Sequence, residues 1–159
     1  KGAIMRRSIN NVPFIWSDPA NRRPATSDIL ASTADLAPTI LTRAGVKPYY
    51  GIQGRNLLSD LDGSTQPRDA LLIEFEDTQR RMNFPKPAVV RTLQTPEHRL
   101  TVYQDISWGE LYDLARDPGE LENLWDHPAY AGVRATLTER LMRELIATVD
   151  TSPRARRRA

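Results

Sequence analysis

The 159-residue chain contains no cysteine and only two histidines. Without cysteine, the protein can form neither a disulfide framework nor a thiolate metal site. The two histidines, His98 and His127, lie far apart in the sequence and share no metal-ligand spacing with carboxylates. No apolar run approaches the ~18 residues of a membrane span, so we expect no membrane partner.

The charge is also unevenly placed. The formal net charge is +2 and the sequence pI is about 9.2, but the last six residues include Arg154, Arg156, Arg157 and Arg158. Without these four arginines the net charge of +2 becomes −2. The high pI therefore describes a tail, and we predict that residues 151–159 are a disordered basic tail. Because no aromatic residue interleaves the arginines, the pattern does not favour a nucleic-acid partner.

The N-terminal third contains one strand-like and one helical pattern. Residues 12–16, Val-Pro-Phe-Ile-Trp, form a continuous apolar run, which is typical of a strand buried on both faces. Residues 34–44 have helical spacing, with Ser32 or Thr33 as N-cap and Gly45 as the C-terminal stop. A long loop is expected at 48–69.

The remainder predicts a two-layer α+β unit. Four short runs bounded by turn residues, at 70–75, 88–93, 99–103 and 110–114, favour an antiparallel meander. A final helix is expected from near Pro128. Its buried stripe recurs every fourth residue, with two further apolar residues in support: Val133, Leu137, Leu141, Leu145 and Val149, then Met142 and Ile146.

Some side chains allow two readings. Glu74 and Glu76 alternate on one strand face, either as an acid pair for catalysis or metal binding or, as we expect, as the solvated face of an edge strand. Trp108 either packs in the core or stacks on a substrate ring.

One stretch carries a specific sequence motif: residues 109–124 read GELYDLARDPGELENL. This resembles the signature E-L-Y-D-L-x-x-D-P-x-E-x-x-N-L near the C-terminus of sulfatases of the alkaline phosphatase superfamily. Residues 35–46, DLAPTILTRAGV, are similar to a second sulfatase segment, and Val89-Val90-Arg91-Thr92 to a third. The matches keep the family's order along the chain. The signature itself is mostly structural and lies outside the chemistry.

The resemblance implies a fold, an activity and cofactors. Such sulfatases have a large α/β domain and a smaller C-terminal subdomain with a four-stranded antiparallel sheet and a long helix. They hydrolyse sulfate monoesters with a formylglycine beside a divalent cation, usually Ca²⁺. The nucleophile motif C/S-x-P-x-R is absent from this sequence. We therefore expect the formylglycine and the metal ligands to lie upstream, and the 159-residue chain alone to be inactive and to bind neither cofactor.

The resemblance also suggests site residues. Lys1-Gly2, Met5 and Val12-Pro13-Phe14 are similar to the segment K-G-x-x-M-Y-E…(I/V)-P-F, whose lysine contacts the sulfate. Lys1 is thus the candidate catalytic residue. Arg6 and Arg7 stand where the family often has Tyr-Glu, so they are candidate contacts to an anionic substrate. His98, in a turn before a strand, is a candidate at the border of the cleft.

The expected organisation follows from these matches. Residues 1–58 would end a larger α/β catalytic domain, with strand 12–16 and helix 34–44 as its remnants, and residues 59–150 would form the C-terminal subdomain. The start at Lys1 without methionine indicates a piece of a longer protein. The missing catalytic domain is the expected partner, and an uncovered strand 12–16 would favour self-association. The alternatives are a phosphonate or phosphate monoester hydrolase of the same superfamily and a non-catalytic sulfatase-fold module.

Overall fold

A four-stranded antiparallel sheet forms the centre of the protein. The computed structural model describes residues 3–20, 22, 24–80, 83–150 and 152. The strands lie in the order β1-β2-β3-β4, so each pairs with its neighbour in sequence. Their bounds are Leu71–Glu76, Val89–Gln94, His98–Tyr103 and Gly109–Asp113. The predicted meander is confirmed, with each strand boundary within a residue of its expected position.

A long C-terminal helix, α4 (Ala131–Ala147), covers one face of the sheet, which we call the helix face. The core between them is built largely from leucines of three strands and of the helix: Leu93 of β2, Leu100 of β3, Leu111 of β4, and Leu137 and Leu141 of α4. The three strand leucines are fully buried. This burial is the main stabilising contact of the helix, since an isolated helix of this length is marginal in water.

The buried stripe of α4 is narrower than predicted. Val133 and Leu145 pack against the core, as expected. Met142, Ile146 and Val149 are instead 56%, 70% and 65% exposed, so including them in the buried stripe was wrong. The helix ends at Ala147, so Val149 lies beyond the last turn. Only one side of an α-helix can face the sheet, so apolar residues beside the 3.6-residue repeat of that side point towards solvent.

The entrance to α4 is a short 3₁₀ turn, Pro128–Tyr130. Its N-cap is His127, whose Nδ1 accepts a hydrogen bond from the Ala129 amide at 3.2 Å. This satisfies one of the amides that a helix start leaves unpaired. His127 is therefore a capping residue, as its position before proline suggests.

The opposite sheet face, the N-terminal face, is covered by the start of the chain. Ala3 and Met5 are buried there against Ala88, Val90 and Tyr103. A short helix, α1 (Arg7–Asn10), follows directly. Ala3 and Met5 are therefore part of the core on this face of the sheet.

The predicted helix near 34–44 is confirmed as a 3₁₀ turn, Thr33–Asp35, continuing into α2 (Leu36–Arg43). Ser32 is the N-cap, and Asp35 completes a capping box by accepting the Ser32 amide at 2.7 Å. Gly45 has φ +71° and follows the helix end, where a left-handed residue is favoured.

The loop predicted at 48–69 contains a short helix that the pattern did not reveal, α3 (Leu57–Leu61). Asp35 connects this region to α2, because its buried carboxylate accepts from the Arg55 amide at 2.8 Å and from Arg68 at 2.6 Å. Asn56 caps α3 by accepting from the Leu58 amide. A single cap-forming asparagine and five helical residues give too little periodicity for detection from sequence.

Residues 12–16 are not assigned to a strand in this structure, and the strand expected there as a remnant of a larger domain stays a prediction. Val12 and Ile15 are 53% and 88% exposed. A strand needs a neighbour to pair its backbone groups, and the four strands of the sheet pair only with one another. The indole Nε1 of Trp16 is buried without a hydrogen-bond partner among the described residues.

No helix in the described part of the chain is long and apolar enough to cross a membrane. The predicted basic tail at 151–159 lies outside the described residues, apart from Ser152.

Candidate functional site

The N-terminal face of the sheet is unusually polar for a covered surface. Thr92, Arg99 and Thr101 are each fully buried there. The hydroxyls of Thr92 and Thr101 hydrogen bond to each other across the β2–β3 pair at 2.8 Å. Buried polar groups require such partners, because desolvation without them costs several kcal/mol, on the order of 2–7.

Arg99 is the centre of this face. Its Nη1 donates to the Glu110 carboxylate at 2.8 Å and to the Thr101 hydroxyl at 2.7 Å, and its Nε donates to the Glu120 carboxylate. The guanidinium carbon lies 4.7 Å from the centre of the Tyr112 ring. Two carboxylates and an aromatic face thus surround one buried cation, an arrangement suited to the planar guanidinium.

Glu120 connects this cluster to the start of the chain. One of its carboxylate oxygens binds Arg99, and the other accepts the backbone amide of Arg7 at 2.8 Å. Glu120 is 2% exposed and has φ +53°, a backbone region that non-glycine residues seldom adopt. The surrounding contacts must hold it there, so the position of the Arg7 backbone and the orientation of Arg99 depend on the same side chain.

Tyr103 fixes the segment from a second side. Its hydroxyl donates to Glu110 at 2.8 Å and approaches the Ala3 carbonyl at 3.4 Å. Burial, with the nearby negative charge of Glu110, raises the pKa of Tyr103 well above its ordinary value. The phenol therefore remains protonated and keeps its donor role.

Two further polar residues of the 109–124 signature, Asn123 and Asp117, have structural roles. Asn123 closes the edge of β4, accepting the Leu111 amide at 3.0 Å and donating to the Gly109 carbonyl at 3.0 Å. Asp117 accepts the amides of Leu121 and Glu122 at 2.6 and 2.8 Å. The expectation that the signature is mostly structural agrees with these contacts, and Glu120 is its connection to the N-terminal face.

Close packing explains the first of the two glycines in this motif, Gly109. A Cβ at Gly109 would lie 2.6 Å from the Thr101 carbonyl oxygen and 2.4 Å from a ring carbon of Trp125. Backbone cannot yield as a flexible side chain can. Glycine is therefore required here for close approach.

The predicted site residues are only partly brought together. Lys1 lies outside the described residues. Arg6 and Arg7 are in the segment that covers the N-terminal face, with Arg6 exposed as the N-cap of α1. His98 pairs with Asp113 and, by strand alternation, lies on the helix face, opposite to Arg99. Their substrate contacts remain predictions.

Glu74 and Glu76 lie on the solvated side of edge strand β1, as expected. Both bind Arg91 of β2, at 3.0 and 2.7 Å. Among the described residues, no group of three or more histidine, aspartate or glutamate side chains is placed to hold a metal ion.

Sequence reasoning missed Arg99, Glu120 and Tyr103 as a connected group. The available signal was an arginine within an apolar strand, followed by a signature acid. Sequence distance conceals the contact, because Glu120 meets Arg7 across 113 positions.

Comparison with known proteins is consistent along nearly the whole chain. Residues 2–147 match the family described as N-sulphoglucosamine sulphohydrolase, C-terminal. The Δ4,5-hexuronate-2-O-sulfatase of Bacteroides thetaiotaomicron is 29% identical over an alignment covering 93% of this chain and 33% of that protein.

Solved structures agree. The protein BT4656, in complex with its substrate D-glucosamine-2-N,6-O-disulfate, has a TM-score of 0.62 and 27% identity, covering 75% of this chain and 24% of that one. The phosphonate monoester hydrolase of Agrobacterium radiobacter has a TM-score of 0.63 and 26% identity, covering 76% of this chain and 26% of that one.

The chain thus spans a quarter to a third of the length of these relatives. The matched region includes the sheet, the covering helix and the buried Arg99 cluster. The chain belongs to the sulfatase family described as the C-terminal part of N-sulphoglucosamine sulphohydrolase.

Proposed function

We propose that this chain is the C-terminal part of a hydrolase that cleaves sulfate monoesters, with its nucleophile and metal ligands in an upstream domain. The family match over residues 2–147 carries the proposal. In the parent enzyme the upstream domain would supply the formylglycine and the divalent cation, Ca²⁺ by the resemblance. In this proposal the chain contributes by positioning and by binding.

The contribution to the reaction centre would come through Lys1. An ammonium beside the sulfate ester stabilises the negative charge that develops on the sulfate and leaving-group oxygens in the transition state. Support comes from the segment that follows it, since Ala3 and Met5 are buried and the Arg7 amide is held by Glu120. The proposed role of the Arg99 cluster is therefore to position the chain that carries the lysine.

Arg6 and Arg7 are the proposed further contacts to an anionic substrate, because they lie in the same segment, which covers the N-terminal face. His98 lies on the other side of the sheet from Arg99 by strand alternation. His98 therefore stays a candidate at the border of the cleft, apart from the contacts proposed for Arg6 and Arg7.

The proposed domain division places residues 1–58 with the upstream domain and 59–150 in the C-terminal subdomain. Large apolar side chains are exposed in several places before residue 62, among them Ile15 at 88% and Tyr50 at 79%. In this proposal an upstream domain covers these side chains. Residues 3–7 nevertheless pack on the C-terminal sheet, so the first part of the chain serves both units.

The surface of residues 12–16 has its own test. In the isolated chain we expect rapid amide hydrogen exchange at these residues, because the sheet provides them with no strand partner. Strong protection in a demonstrated monomer would contradict the division. Protection that grows with protein concentration would instead indicate self-association through this segment.

Phosphonate monoester hydrolysis is the second candidate. The specific observation is the structural similarity to the Agrobacterium enzyme, whose TM-score of 0.63 is close to the 0.62 of BT4656. A sulfate and a phosphonate monoester share a tetrahedral anionic centre, so a lysine contact would serve either reaction. A non-catalytic sulfatase-fold module remains the third alternative.

The test uses the longer gene product that includes the residues encoded before Lys1, alongside the 159-residue chain. We expect the long protein to hydrolyse a chromogenic sulfate ester and to lose most activity on Lys1→Ala. The 159-residue chain alone should show none. Metal-dependent turnover by the short chain that disappears on mutating one of its own residues would refute the proposal, and preference for a phosphonate monoester would favour the second candidate.

A further inference from the structure

A cleft of about 380 Å³ opens where the start of the chain meets the sheet. Its lining includes Ala3 from the N-terminal segment, Phe84 from the loop before β2, Tyr103 at the end of β3, and Trp108 and Glu110 at the start of β4. Ligand clefts in proteins typically measure about 300–1,000 Å³. The volume is therefore sufficient for a small ligand.

Aromatic rings form the floor of this cleft. The ring centres of Tyr103 and Trp108 are 4.9 Å apart, and those of Phe84 and Tyr103 are 5.5 Å apart. Tyr103 is 7% exposed, whereas Trp108 is 48% exposed. The buried tyrosine thus supports an indole that retains a large free surface, and an exposed tryptophan on a rigid support is a favourable apolar contact for a ligand.

A fixed polar group stands at the cleft's edge. The Glu110 carboxylate accepts the Tyr103 hydroxyl at 2.8 Å and the Arg99 guanidinium at 2.8 Å. These two donors hold the side chain in place, and each carboxylate oxygen can accept more than one hydrogen bond. The cleft therefore combines an apolar platform with an oriented acceptor for hydroxyl or amide donors.

This combination suits the ring of a sugar. A pyranose has an apolar C–H face that covers an aromatic ring, and hydroxyls at its edge that donate to a carboxylate. A flat apolar ligand would leave Glu110 unused, and a small anion would leave Trp108 unused and meet a negative charge. The chemistry of the cleft thus points to a neutral part of a saccharide and not to the sulfate group.

The cleft also lies close in sequence to the proposed sulfate-binding lysine. Consecutive Cα atoms are about 3.8 Å apart, so the Cα atoms of residues 1 and 3 can be separated by no more than about 7.6 Å. Ala3 lines the cleft. The cleft is therefore lined by the segment that directly follows the proposed sulfate-binding lysine in sequence, and Lys1 itself lies outside the described residues.

We propose that the cleft of Phe84, Tyr103, Trp108 and Glu110 is a saccharide subsite that holds a pyranose ring of a sulfated sugar substrate. The proposal deepens the proposed function and rests on it for the identity of the substrate. Its residues are Trp108 as the stacking platform and Glu110 as the hydroxyl acceptor.

The first experiment measures kinetics on the long protein. Trp108→Ala should raise the KM for glucosamine 6-sulfate about fivefold to tenfold, the equivalent of one aromatic contact. The inhibition constant of inorganic sulfate, which has no ring to stack, should stay within twofold. Trp108→Phe should recover most of the loss. Leu121→Ala, at a side chain 84% exposed and outside the cleft, is the matched control and should change neither constant.

Equal weakening of inorganic sulfate and the sulfated sugar by Trp108→Ala would overturn the subsite, and so would no change in either. Both results leave sulfate hydrolysis by the long protein intact, so failure of the subsite is distinguishable from failure of the proposed function.

The second experiment needs no turnover. The chain has three tryptophans, and the NMR signal of the Trp108 indole, assigned with Trp108→Phe, should shift on titrating glucosamine 6-sulfate into the 159-residue chain. Glucosamine should cause a similar shift at higher concentration, and inorganic sulfate none. A shift with sulfate alone, or no shift with either sugar, would overturn the subsite even if the long protein proves to be a sulfatase.

Discussion

Replacing Arg99 with methionine tests the central claim that one buried cation organises the N-terminal face. Methionine fills a similar volume without charge, so the packing of the strand is largely kept. The substitution removes the partner of Glu120, which is 2% exposed, and one of the two donors to Glu110. The expected effect is therefore mainly electrostatic.

The magnitude follows from the burial of the acids left behind. Removing one member of a buried pair costs about 3–5 kcal/mol, because the remaining charge is desolvated without compensation. Glu110 is 18% exposed at its side chain and keeps the Tyr103 hydroxyl, so most of the cost falls on Glu120. We expect the free energy of unfolding to fall by about 4 kcal/mol. This is a large part of the total stability of a domain, which is typically about 5–15 kcal/mol.

Urea unfolding of the 159-residue chain at pH 7 measures this loss. The matched control is Arg143→Met, which breaks an exposed pair with Glu139 on α4 and should change stability by less than about 0.5 kcal/mol. Adding Glu120→Gln to Arg99→Met removes the stranded charge and should recover about 1–3 kcal/mol. If Arg99→Met costs less than about 1 kcal/mol, or the double variant recovers nothing, the argument from buried charge is wrong.

A change at the same cluster should be detectable at the N-terminal segment. Glu120→Ala removes the acceptor of the Arg7 amide. The rate of hydrogen exchange at that amide should then rise by at least the factor that the loss of global stability predicts. Unchanged protection of Arg7 in a clearly destabilised variant would show that Glu120 does not hold the segment.

Two further predictions concern steric fit and pH. In thermal unfolding, Gly109→Ala should destabilise the protein by about 2–3 kcal/mol, since the added Cβ would meet backbone atoms. Gly132→Ala should instead stabilise it by about 0.5 kcal/mol, because the added Cβ has open space within α4. The Arg43 guanidinium and the Ala20 amide lower the pKa of Asp18 to about 2, so the stabilisation from this pair is complete above the unfolded pKa of about 3.9 and disappears as the pH falls towards 2. Carboxyl NMR titration should give the low pKa. Arg43→Gln should raise the pKa of Asp18 towards its ordinary value, while the Ala20 amide still lowers it; an unchanged pKa in that variant would exclude Arg43 as a cause.

The elements of the C-terminal unit were predictable because local patterns determine them. The four strands alternate or run apolar between turn residues, and α4 buries residues at helical spacing. The Ser32 cap and the stop at Gly45 follow from local backbone chemistry in the same way. Where one residue's neighbours in sequence are also its partners, the sequence is sufficient.

Residues 12–16 show the limit of that logic. Their apolar run indicates burial, but burial in a strand needs a second strand. The sheet of this chain pairs its four strands among themselves and leaves residues 12–16 outside. Periodicity describes what a segment can do, and the availability of a partner decides whether it does so.

The sequence by itself determined the α+β class, the order of the strands and, through the 109–124 signature, the family. Only the tertiary structure decided the role of Arg99, because its partners Glu110 and Glu120 lie 11 and 21 residues away and the backbone it helps to hold, at Arg7, lies 113 residues from Glu120. The same holds for the cleft, whose lining comes from separate segments. Local patterns depend on neighbours within one turn or one pleat, whereas a buried charge and a ligand cleft depend on which distant segments the folded chain brings into contact.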